Sequence, residues 1–178
     1  MGTKEIWIKT GYEVFAHKGH SGIKIDPLAK KIGISKSSFY HHFADVDLFI
    51  EYLLAHHLKQ SSIMAAKELQ AKNIDPELIN ILIEHRNDLL FNRQLRINND
   101  ISIFTQTLLR SNKIVGDGFR AAWSKDLNVR LSPKQIDAIF SIALENFFLQ
   151  INIDHINYEW LSKYFANLNH ISNAIIDY

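Results

Sequence analysis

The stretch Ile25–Phe43, IDPLAKKIGISKSSFYHHF, narrows the folds open to this chain more than any other. It reads as two short helices with only Gly33-Ile34-Ser35 between them. Asp26 followed by Pro27 predicts an N-cap and a first-turn proline. Gly33 predicts the stop, because glycine takes left-handed backbone without a Cβ clash. Ser35 predicts the cap of the second helix. Leu28, Ala29, Ile32, Ile34, Phe39 and Phe43 are the expected wedge between the two. Ser37, Tyr40 and His41 face the other way, with Lys36 at their edge. A short helix, a glycine turn and a second short helix ending in aromatics is the helix-turn-helix pattern. In that motif the first helix braces across a nucleic-acid backbone and the second lies in the major groove.

Helical periodicity governs the remainder, and no segment alternates for long as a half-buried strand does. A first helix is expected over about 4–18, closed by Gly19, with Gly11 inside it costing roughly 1 kcal/mol relative to Ala. Asp45 opens a long helix reaching to about Asn73. Asp75-Pro76 opens another, and the polar run 92–100 reads as a short helix or a break. A helix over 101–112 follows, Asp117-Gly118 punctuates, and Phe119–Leu127 forms a further short helix. Ser132-Pro133-Lys134-Gln135 is a capping box with proline at the first helical position. The helix it opens carries Ile136, Ile139, Phe140, Ala143, Leu144, Phe147, Phe148 and Ile151 as one apolar stripe. Asn157 opens the last helix. The expected class is all-α with about nine helices.

Composition removes other classes. The 178 residues include no Cys, so thiolate metal sites and cysteine nucleophiles are excluded. The net charge of +1 gives no whole-chain argument for nucleic acid. Residues 1–50 hold seven Lys, no Arg and five acidic residues, a mild basic bias. His17/His20, His41/His42 and His56/His57 do not converge on one ion, because adjacent helical residues point about 100° apart. No nucleophile elbow or glycine-rich phosphate loop is present. No catalytic residue, cofactor or metal is expected. No apolar run approaches the ~18 residues of a membrane span, and the N-terminus has no signal-peptide core. A cytoplasmic protein without membrane attachment is expected.

Gly19–Phe43 resembles the DNA-binding region of TetR-type transcriptional repressors. The resemblance rests on Val14-Phe15, Gly19, Leu28-Ala29-Lys30, Gly33-Ile34-Ser35-Lys36 and Phe39-Tyr40-His41-His42-Phe43. The family pattern ends in tyrosine, any residue, histidine, phenylalanine. The resemblance implies a three-helix DNA-binding domain over 1–48 and a helical ligand-binding and dimerisation domain over 49–178. It implies that Lys24, Lys36, Ser37, Ser38, Tyr40, His41 and His42 meet an operator. Tyr40 and His42 would position on phosphates, and Ser37, Ser38 and His41 would lie nearer base edges. Three positions depart from the pattern. Val46, between Asp45 and Asp47, stands where a lysine is usual. Ile23 and Lys24 replace small hydroxyl residues, and Tyr12 replaces a small residue. A weaker or salt-sensitive DNA binder is one expectation. An all-α sensor or interaction protein that no longer binds DNA is the other.

The resemblance further implies that the last two helices pair with their copies in a homodimer. Ile136, Phe140, Leu144, Leu161, Phe165 and Leu168 are the expected dimer face. Ile142, Leu149, Ile153, Trp160 and Ile176 are apolar residues off the main stripe that one subunit would struggle to cover. An unidentified small-molecule effector is implied too, with Phe91, Phe104, Phe119, Trp123 and Phe147 as candidate walls. Asn146, Arg96 and Arg93 are candidate polar anchors, because a buried polar group must find a partner.

Overall fold

The computed structural model describes the backbone of residues 2–126 and 132–176; the side chains at 121–126, 133, 136 and 171–176 are outside that description. The expected contributions of Trp123, Ile136, Leu127 and Ile176 therefore lie outside the described residues. All regular elements among the described residues are helical. They are α1 (Thr3–Lys18), α2 (Ile25–Ile32), α3 (Lys36–His42), α4 (Val46–Glu68), α5 (Ile79–Glu84), α6 (Arg86–Ile97), α7 (Ser102–Asp126), α8 (Pro133–Gln150) and α9 (Tyr158–Ile176).

The turn chemistry explains most boundaries. Gly33 ends α2 in the left-handed region at φ 68°. Ser35 holds the N-cap position of α3, but its hydroxyl bonds Ser37 Oγ at 2.9 Å instead of a backbone amide. Lys24, not Asp26, is the N-cap residue of α2, and Asp26 lies in the first turn with its carboxylate on Lys36. Asp45 Oδ1 accepts from Leu48 N at 2.8 Å at the start of α4. Asn157 does the same for Trp160 N at 2.9 Å at the start of α9. The capping box of Ser132 and Gln135 is present in both directions.

Elsewhere the helices run differently from expectation. α4 stops at Glu68, and Asn73 caps the following turn by accepting from Glu77 N. The run 92–100 is part helix and part break, with residues 98–101 separating α6 from α7. Residues 92–97 complete α6, because Asn92 is buried and donates to Ser111 Oγ at 3.0 Å. Asp117-Gly118 does not punctuate. α7 passes straight through it, with Gly118 packed against α4 so closely that a Cβ there would stand 3.1 Å from the Ala65 carbonyl.

Two compact units result. The first comprises residues 1–61 and 87–112, the second residues 62–86 and 113–178. α4 and α7 each contribute a segment to both. The division expected at residue 48 concerns which residues meet DNA, and compactness follows different contacts. The core of the first unit is aromatic: Trp7, Phe15, Phe39, Phe43, Phe49, Phe91 and Phe104 are all essentially inaccessible. Gly11 has a packing reason, since a Cβ there would lie 2.4 Å from Phe49 Cζ. In the second unit α8 and α9 meet where the Phe147 ring lies against those of Trp160, Tyr164 and Phe165, and Phe140, Phe148 and Leu161 are buried as well.

Candidate DNA-binding face

α3 is anchored by its two phenylalanines. Phe39 packs edge-on against Trp7 at 5.3 Å and Phe49 at 5.2 Å, and Phe43 packs against Phe49 at 4.8 Å. With Phe39 and Phe43 inward, a 3.6-residue period turns Lys36, Ser37, Tyr40 and His41 outward. All four are exposed, while Ser38 and His42 are half-buried. The Tyr40 side is 51% exposed, with its ring edge resting on Phe39. Lys24 is exposed just before α2. The outward side of α3 therefore presents an ammonium group, a hydroxyl, a phenol and an imidazole, a set able to contact both phosphate oxygens and base edges.

Two charges modulate that surface. Lys36 Nζ lies 3.0 Å from Asp26 Oδ1, and the hydrogen bond and charge of Asp26 raise the lysine's pKa. At Val46, where a cation was missed, the first turn of α4 presents Asp45 and Asp47. A cation that sequence reasoning did not single out lies close by: Lys4 Nζ stands 3.8 Å from the Tyr52 ring centroid and 5.7 Å from that of Phe43. Lys4 also lines a half-open recess of about 530 Å³ with Lys9, His56 and Lys59.

Behind the face, Tyr12 finds partners far away in sequence. Its hydroxyl donates to Asp88 Oδ1 at 2.6 Å and lies 2.8 Å from His57 Nδ1. With its one proton on Asp88, the hydroxyl accepts from His57, which fixes the Nδ1–H tautomer. Burial keeps His57 neutral, with its pKa lowered to about 4, and desolvation together with Asp88 raises that of Tyr12. The departure at position 12 is thus a link between α1, α4 and α6.

The expected effector residues fall into two groups. Phe91 and Phe104 are buried in the first unit, where Phe91 stacks on Phe15, Tyr12 and His57. Arg96 bonds Asn92 and Asn112 there, and Arg93 is half-buried with Nε unbonded among the described residues. Phe119 and Phe147 belong to the second unit, both against Phe165. Asn146 is exposed and bonds Gln150 and Tyr164.

The residues of the expected dimer face differ in their exposure within the single chain. Phe140, Leu161 and Phe165 are buried within this chain, and Leu144 and Leu168 are half-buried. Among the described side chains of α8, Ile142 is 73% exposed and Leu149 79% exposed. Among the described residues no group of three His, Asp or Glu could hold a metal ion, and no helix is long and apolar enough to cross a membrane.

Helix-turn-helix elements ahead of an all-helical remainder define the fold class of the TetR-type regulators. The sequence model of the family described as bacterial regulatory proteins, tetR family, matches residues 8–50. No curated protein matches the chain. Among solved structures the chain is similar to a TetR/AcrR-family transcriptional regulator from Aquifex aeolicus VF5, with TM-score 0.63, 18% identity and coverage of 98% of this chain and 99% of that one. It is also similar to the multidrug binding protein EbrR complexed with imidazole (TM-score 0.54, 18% identity, 94% and 95% coverage). A Rhodococcus sp. protein assigned to the TetR-family transcriptional regulators matches at TM-score 0.54, with 16% identity and 96% of each chain covered. Residues 8–50 of this chain thus match the TetR-family model, and the chain as a whole shares the fold of these solved structures.

Proposed function

We propose that the protein is a cytoplasmic, ligand-responsive transcriptional repressor that binds a near-palindromic operator as a homodimer. The observation that carries this reading is the exposed row Ser37, Tyr40 and His41 on a helix whose Phe39 and Phe43 are locked inward. Tyr40, His42, Lys36 and Lys24 hold phosphate oxygens and set register, and Ser37, Ser38 and His41 read base edges. Lys36 leaves Asp26 when phosphate arrives. Ile142 and Leu149 favour pairing through α8, since uncovered apolar side chains gain by burial in a second copy. Two reading helices related by a two-fold axis meet half-sites about one helical turn apart. The binding protein among the structural relatives supports an effector that controls this pairing.

A second reading, a sensor of the same fold that no longer binds DNA, is favoured by Asp45 and Asp47 at the start of α4 and by Asp26 on Lys36. Retention of mixed genomic fragments separates the two. The repressor retains a subset selectively and loses it steeply as salt rises. No retention of any fragment at low salt establishes the sensor reading.

A further inference from the structure

We propose that Glu68 anchors a cationic effector, a small molecule bearing an amidinium or ammonium group, in the second unit. The proposal rests on the repressor reading and names the chemistry of its ligand. Glu68 closes α4 and is wholly inaccessible, at 0% exposure. Among the described residues neither of its carboxylate oxygens has a hydrogen-bond partner. Where Lys67 beside it pairs with Glu84, Glu68 faces Gly118 of α7. A Cβ at 118 would stand 3.1 Å from Glu68 Oε2, so the absence of a side chain there spares the flank of the carboxyl group.

Burying an ionised, unbonded carboxylate costs several kcal/mol. Glu68 avoids that cost by keeping its proton: burial raises its pKa to about 8, with no charged neighbour contributing. The free protein thus holds a neutral acid with two unused oxygens. Cation binding is then an exchange. The carboxyl O–H bond breaks, the proton leaves to solvent, and ligand N–H groups donate to the two oxygens. The charge of the interior stays at zero. An amidinium suits the site best, because its two parallel N–H bonds match a carboxylate bidentately. A neutral isostere or an anion leaves the acid protonated and accepts at most its one O–H, with no proton released.

Calorimetric titration of the purified full chain tests this with benzamidinium and phenethylammonium as probes, and benzamide and benzoate as controls. The cations bind at least tenfold more tightly than benzamide. Titrations in buffers of different ionisation enthalpy show roughly 0.9 proton released per cation at pH 7, falling towards zero above pH 9. Glu68→Gln loses at least tenfold in cation affinity and all the proton release. Gly118→Ala keeps the acid but crowds its flank, and weakens the cations severalfold. Cations binding no better than benzamide, or binding Glu68→Gln as tightly as wild type with the proton still released, overturns the proposal. So does unchanged affinity in Gly118→Ala. Failure to retain DNA overturns the repressor reading alone, because proton-coupled cation binding is read without DNA.

Discussion

The two units bury polar groups differently. The first unit links several of its own, though Trp7 Nε1, His57 Nε2 and Arg93 Nε stay without a hydrogen bond among the described residues. Tyr12, Asp88 and His57 share hydrogen bonds of 2.6 and 2.8 Å, and Asn92 bonds Ser111 and Arg96. The second unit leaves Glu68 with none among the described residues. Paired groups fix helices in place, because breaking one pair strands the other partner in a low-dielectric interior. An unpaired acid fixes nothing and is held ready for something else. The first unit carries the candidate DNA-binding face, and the second carries the unpaired acid of the proposed effector site.

Opposite pH dependence is the largest expected expression of this difference. Glu68 has a folded pKa raised to about 8 from 4.5, so its contribution is fully present below about 4.5 and lost as pH rises to 8. Relative to Glu68→Gln, wild type loses on the order of 4 kcal/mol across that window by urea unfolding. His57 has a folded pKa lowered to about 4 from 6.5, so its contribution is present above 6.5 and lost as pH falls to 4. Relative to His57→Gln, wild type loses on the order of 3 kcal/mol in that direction. Matching slopes of one sign for both residues would erase the distinction.

Smaller effects sharpen it. Tyr12→Phe removes the hydroxyl that joins α1 to α6 and costs about 1–3 kcal/mol, because Asp88 and His57 lose a shared partner. Hydrogen exchange in α1 then rises, and a protected α1 in this variant would show that the link does not hold the helix. Leu149→Glu with Ile142→Glu leaves each chain folded and shifts light scattering to the monomer mass. An intact dimer in that double variant moves the interface elsewhere. Tyr40→Phe lowers DNA affinity about three- to tenfold without changing the unfolding midpoint, the cost of one phosphate hydrogen bond.

What could be read in advance was local. Gly33, Ser35, Asp45, Asn157 and the Ser132–Gln135 box act within four residues of where they stand, and each marks its boundary in the structure. The aromatic pair Phe39 and Phe43 gave the orientation of α3 for the same reason. What could not be read depends on partners distant along the chain. Asn92 looks like a loop residue until Ser111 is beside it. Gly118 looks like a helix breaker until α4 passes within contact of it. The α8 stripe shows that a face is apolar but not what covers it; Phe140 is buried in the single chain with its ring against Phe119. Tyr12 and Asp88 stand 76 positions apart, and no periodicity connects them. Glu68 was overlooked because an acid at the end of a helix reads as solvated.

On the proposed DNA-binding reading, the ion pair between Lys36 and Asp26 gives α3 a resident stand-in for a phosphate. Asp26 offers the ammonium group a negative oxygen before any duplex is present, holding the side chain extended along the motif. Docking then swaps one anion for another instead of capturing a free lysine. The displaced carboxylate recruits a cation from solution, so this contact returns less to the ion atmosphere than an unpaired lysine would. Removing Asp26 should therefore tighten binding to every sequence alike and leave discrimination between operators unchanged.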